Sequence, residues 1–151
     1  MSYKQLFYDQ LGQAIALAAS LFKDTTDKQG RPYILHCLRV MNDVGDDPEV
    51  QVIAVLHDVI EDFPDEYDLI RLTTELSLTH RQQMALIKLT HFSQRTSYID
   101  YIHDIATNLD AKRVKLADLR DNSNITRLKG LRKKDFDRLE KYHQAYVYLS
   151  E

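Results

Sequence analysis

The chain has 151 residues, a formal net charge of −3, 44% hydrophobic and 28% charged residues. That length suits one domain over 1–151 with a core of its own, and the composition excludes a disordered chain. The acidic balance excludes a protein living on nonspecific nucleic-acid contacts, and no run of about 18 apolar residues exists to span a membrane.

The N-terminus, MSYKQLFYDQ, carries no apolar signal core, and the lone Cys37 allows no internal disulfide. Both point to a cytoplasmic protein. Only 4 Gly and 3 Pro are present. Strands need frequent turns, so this scarcity predicts long helices and an all-α bundle of seven or eight of them. The first helix covers Lys4 to Lys23, where Phe7, Leu11, Ile15, Ala18 and Phe22 form one apolar stripe. DTTDKQGRP is a loop. A second helix starts near Tyr33 and ends near Gly45, a C-terminal cap. It places His36 about one turn in, where a histidine serves either as a ligand or as an ordinary core or surface residue.

A third helix begins near Pro48 and runs through VQVIAVLHDVIEDF until Pro64 stops it. Its VIAVL portion is apolar all round and therefore buried. His57, Asp58, Glu61 and Asp62 follow directly, and buried carboxylates are costly unless a cation compensates them. One continuous helix puts Asp58 with Asp62, and His57 with Glu61, on shared sides. The alternative is a solvated last turn, which acids disfavour because they oppose the helix dipole.

Shorter helices follow at 67–76, 81–90, 97–108 and 111–126. In the last of these, VKLADLRDN surrounds Asp118 with apolar neighbours and lines up Lys115, Asp118 and Asn122 on one stripe. Asp118 there wants a metal or a salt bridge to Lys115 or Arg120. The final helix covers 135–149, with Phe136, Leu139, Tyr142, Tyr146 and Leu149 on its inward face. Cys37 beside His36 is not a thiol nucleophile paired with it, since neighbours on a helix point roughly 100° apart.

The ordered trio PYILH, HDVIED and KLADLRDN resembles the HD-domain superfamily. More narrowly it resembles the hydrolase domain of the RelA/SpoT homologues, which remove pyrophosphate from (p)ppGpp. The resemblance spans Ala18 to Tyr146. It implies a helical HD bundle with His36, His57, Asp58 and Asp118 as ligands of a divalent metal, usually manganese. It implies Glu61 and Asp62 as the catalytic acidic pair, and Asn122 and Tyr142 as nucleoside contacts. Lys28, Arg31 and Lys115, with Arg113, are candidates to balance the phosphates. The expected partner is a small nucleotide, with neither nucleic acid nor membrane. The implied reaction is hydrolysis of ppGpp at its 3′ position to GDP and pyrophosphate. The alternatives are an HD phosphohydrolase for another nucleotide or phosphomonoester, and a nucleotide-sensing module without turnover. The chain departs from the family's pattern at Phe63, where threonine is usual, and in ADLRDN, where ADRLHN is typical. No synthetase domain fits within this length.

Overall fold

The computed structural model describes residues Met1 to Glu151 and is helical throughout, without strands. Helix α1 (Tyr3–Leu21) opens on Ser2, whose side chain accepts from the Gln5 N–H. It buries Phe7, Ala14 and Ala18. The loop that follows is tied by the Asp27 carboxylate, which accepts from the N–H groups of Gln29 and Arg31. Helix α2 (Ile34–Asp43) ends at Val44, and Gly45 leaves it at φ +91. A left-handed residue just past a helix is where glycine is favoured, so the expected stop is in place.

Helix α3 (Pro48–Leu56) is the centre of the fold. Asp47 caps it, Pro48 occupies its first turn, and every residue except Gln51 is buried. It packs against α1 and α2, and also against helices α6 and α8 defined below. Each fully buried Val, Ile or Leu contributes roughly 1.5–3 kcal/mol, so this helix anchors the bundle.

The third helix is not continuous, contrary to the sequence expectation. It ends at Leu56, and a separate single turn, α4 (Val59–Asp62), follows. His57 is the reason. Its N–H and its ring Nδ1 both converge on the Ala54 carbonyl, at 3.4 and 2.6 Å. Asp58 then takes φ −102, ψ −3, outside regular helix geometry. This break swings Asp58 toward His57 instead of leaving the two about 100° apart around a helix axis.

Helices α5 (Leu69–Leu76), α6 (His80–Leu89) and α7 (Tyr98–Ile105) follow. Thr79 and Gln82 form a reciprocal capping box on α6. Helix α8 runs Leu109–Asn122 with Asn108 as its cap, and Ile125–Arg127 forms a 3₁₀ turn rather than extending it. Helix α9 (Lys133–Ser150) packs on α8 and α7. Phe136 was expected on its inward face but is 55% exposed. Asp135 is buried there instead, accepting from the Arg132 N–H and from Arg138, each at 2.9 Å. No helix is long and apolar enough to cross a membrane.

Candidate functional site

Three elements meet at one point: the first turn of α2, the break between α3 and α4, and the last two turns of α8. They bring His36, His57, Asp58 and Asp118 together. His57 Nε2 lies 3.0 Å from Asp58 Oδ2 and 3.4 Å from Asp118 Oδ1. His36 Nε2 lies 3.1 Å from Asp118 Oδ1 and 3.8 Å from Asp58 Oδ2. One ligand atom each from His36, His57 and Asp58 fall within 4.8 Å of one another.

The outer nitrogens of both rings are already engaged. A carbonyl can only accept, so His57 Nδ1 carries the proton it gives to Ala54, leaving Nε2 with a lone pair. His36 Nδ1 meets Asp121 Oδ2 at 2.6 Å, which assigns its proton in the same way. Both Nε2 atoms are buried and neither has a hydrogen-bond partner. Buried polar atoms are nearly always satisfied, so two orphaned lone pairs facing two carboxylates call for a cation. This donor set, mixed in nitrogen and oxygen, fits a divalent metal ion.

Opposed charges and burial set the electrostatics of the cluster. Burial lowers the pKa of both histidines, but the carboxylates outweigh it: Asp118 and Asp121 raise His36, and Asp58 and Asp118 raise His57. Burial pushes Asp118 up, yet Lys115, His36 and His57 hold it well below the usual carboxylate range. Tyr33 donates to Asp58 Oδ2 at 2.6 Å. Asp118 also accepts from Lys115 Nζ at 2.8 Å and from Asn122 Nδ2 at 2.9 Å. The salt bridge to Lys115 weighed for Asp118 therefore exists alongside the cluster.

Glu61 accepts from the His91 N–H at 2.7 Å, which ties α4 to the end of α6. Burial raises its pKa and the His91 bond opposes the rise. Asp62 stands at the rim. Partial burial, then Asp58 and Glu61, push it up to about 7.

Beside the cluster opens a cleft of about 330 Å³ that includes His36 in its wall. Of its 14 lining residues only 3 are hydrophobic, which suits a charged ligand better than an apolar one. Lys28, Asn122 and Tyr142 line it as expected. Arg31 does not; its backbone N–H is held by Asp27 on the exposed loop. Lys115 does not either, since it is turned inward onto Asp118. Arg113 sits 3.6 Å from Asp47, at the start of α3. The cleft's other cations are Arg39, Arg127 and Arg138, which the motifs did not single out. Arg39 had one available signal, its place one turn after His36. Asp121 and Tyr33, both within the quoted motifs, were passed over because their partners lie far away in sequence.

No protein-family description matches this chain, and no curated protein matches it either. Solved structures do. One of them is described as a metazoan ortholog of SpoT that hydrolyzes ppGpp and plays a role in starvation responses. It aligns with a TM-score of 0.73 at 21% identity, covering 99% of this chain and 86% of that one. The two proteins share a fold. The all-helical bundle expected from the sequence is the architecture found, and the fold is shared over nearly the whole chain.

Proposed function

We propose that this protein is a metal-dependent phosphohydrolase that cleaves ppGpp at its 3′ position, giving GDP and pyrophosphate. The observation that carries the reading is the pair of orphaned Nε2 atoms on His36 and His57, aimed at Asp58 and Asp118. The fold shared with a ppGpp-hydrolysing protein supports the choice of substrate.

His36, His57, Asp58 and Asp118 would hold the ion, with manganese as the expected occupant. When bound, it supplies Lewis acidity at a phosphoryl oxygen and lowers the pKa of water. The chain's own groups do the rest. Asp62 accepts a proton from the attacking water as its oxygen bonds to the phosphorus on the ribose 3′ oxygen. The bond from that phosphorus to the ribose 3′ oxygen breaks, the proton held by Asp62 passes to the 3′ oxygen, and GDP and pyrophosphate leave. Partial burial, then Asp58 and Glu61, hold the Asp62 carboxyl at about 7, close to the neutral pH at which a general base works best. Glu61, fixed by His91, orders the same water. Tyr142 gives the nucleoside a flat half-buried face, and Asn122, held to Asp118, reaches the lip of the cleft. Lys28 offers charge to the phosphates, and Arg138, one turn before Tyr142 on α9 and paired with Asp135, adds to the positive field of the cleft.

The test is product analysis. Purified protein with manganese and ppGpp should release pyrophosphate and GDP, resolved by ion-exchange chromatography. Release of orthophosphate instead, or faster turnover of a simple phosphomonoester, would reject this substrate and leave the broader phosphohydrolase standing. Nucleotide binding without any product would support a sensing module.

A further inference from the structure

Asp121 follows Asp118 by nearly one turn of α8 and stands where the family's ADRLHN has histidine. It has three charged partners, as many as Asp118 has. Its Oδ2 meets His36 Nδ1 at 2.6 Å. Arg39 grips it with Nε at 2.7 Å and Nη2 at 3.2 Å. Arg127 lies 3.2 Å from the carboxylate and also donates to the Asp121 backbone carbonyl. The carboxyl side chain is only 10% exposed.

The two histidines of the cluster are therefore oriented by different devices. His57 is set by the Ala54 carbonyl, which no side-chain substitution removes. His36 has only Asp121. We propose that Asp121 is the positioning residue of the metal cluster: it holds His36 with the proton on Nδ1 and the Nε2 lone pair toward Asp58 and Asp118, while Arg39 and Arg127 lock the Asp121 carboxylate in place. This inference rests on the metal reading above and adds to it. A ring held by a charged acceptor is a more basic ligand with a fixed tautomer, and such partners typically contribute about 10–100-fold in metal affinity. Two consequences follow from the geometry. Arg39 and Arg127 are committed to Asp121, and Arg138 to Asp135, which leaves Lys28 as the cleft cation without an ion-pair partner for a phosphate. Shortening Arg39 loosens the carboxylate rather than removing it, so its effect on metal affinity is smaller than that of changing Asp121 itself.

The experiment is a calorimetric titration of Mn²⁺ into wild type, Asp121→Asn, Asp121→Ala and Arg39→Gln. Alongside it, long-range ¹H–¹⁵N NMR at alkaline pH reads the His36 tautomer in the metal-free protein. Asp121→Asn keeps an acceptor without charge and should weaken Mn²⁺ binding about 10-fold; Asp121→Ala should approach 100-fold. Arg39→Gln should fall between wild type and Asp121→Asn. The wild-type spectrum should show the His36 proton on Nδ1, with that preference reduced in Asp121→Ala. Unchanged Mn²⁺ affinity in both Asp121 variants would overturn the inference while leaving the metal site intact. A wild type that binds no Mn²⁺ would overturn the metal reading and this inference together. If the Asp121 variants do not fold, the wild-type spectrum decides alone: a proton on His36 Nε2 rejects the assignment.

Discussion

The two ends of α3 each bury a polar side chain, and they treat it in opposite ways. At the first turn, Glu49 is as hidden as Asp118 at the candidate site. Every part of its carboxylate is used: it accepts from Tyr3 at 3.0 Å, Thr79 at 2.8 Å and Arg81 at 2.8 Å. Arg81 in turn bridges to Asp110 at 2.7 Å. At the other end, His57 has one nitrogen satisfied and one left bare, beside a second histidine in the same condition. A closed hydrogen-bond network cements helices and has nothing left to offer a ligand. An open one, equally buried, is costly to keep unless something completes it. The difference separates structure from function along a single helix.

The comparison is broken most severely at the open end. His57→Ala or Asp58→Asn should lose bound metal and reduce kcat/KM by about 10³-fold or more, since a Lewis acid supplies several kcal/mol. Elemental analysis beside the rate checks that the two losses travel together. Asp62→Asn should keep its metal and lose about 10²–10⁴-fold in kcat. Equal metal loss there would move Asp62 into the ligand set. At the closed end the expected effect is on stability alone. Glu49→Ala leaves Arg81 and Thr79 short of a partner and should cost about 2 kcal/mol, a fall in Tm of roughly 4–8 °C, with kcat of the folded protein unchanged. A fall in kcat without a fall in Tm would contradict the division.

The smallest effect concerns pH. Asp62 is pushed up to about 7, chiefly by burial and then by Asp58 and Glu61. A raised carboxyl pKa contributes stability that is complete below the unfolded value near 4 and is lost as pH rises through about 7. The metal-free protein should therefore lose stability across that interval. Asp62→Asn should make the slope shallower, raising Tm at neutral pH and leaving it unchanged near pH 4, while the raised Glu61, His36 and His57 keep part of it. Added Mn²⁺ should flatten the wild-type curve in the same way. An identical slope in the variant would assign it to another group.

Much of this was legible in the residues. The stripe of α1, the Gly45 stop, the Pro48 start and the apolar VIAVL run are local signals, and local signals fix where helices lie. The motifs also carried four of the residues that meet at the cluster. The break after Leu56 was not legible, because HDVIED contains no helix breaker; the break comes from a histidine side chain folding back onto a carbonyl. The substrate-facing cations were misjudged for a related reason. Lys115 and Arg31 are as basic in sequence as Arg39 and Arg138, and only the tertiary packing of α2, α8, α9 and the loop after α1 decides which face the cleft. Asp121 was hidden because its partners, His36 and Arg39, lie on α2, and long-range ion pairs leave no mark on spacing.

The account depends most on the two bare nitrogens being metal ligands. Crystals soaked in Mn²⁺ and measured for anomalous scattering test that directly. One peak should appear between His36, His57, Asp58 and Asp118, about 2.0–2.3 Å from the ligand atoms, and none at the closed network around Glu49. An occupied crystal with no peak between the two imidazoles, or with His57 Nε2 bonded to a water alone, would contradict the account.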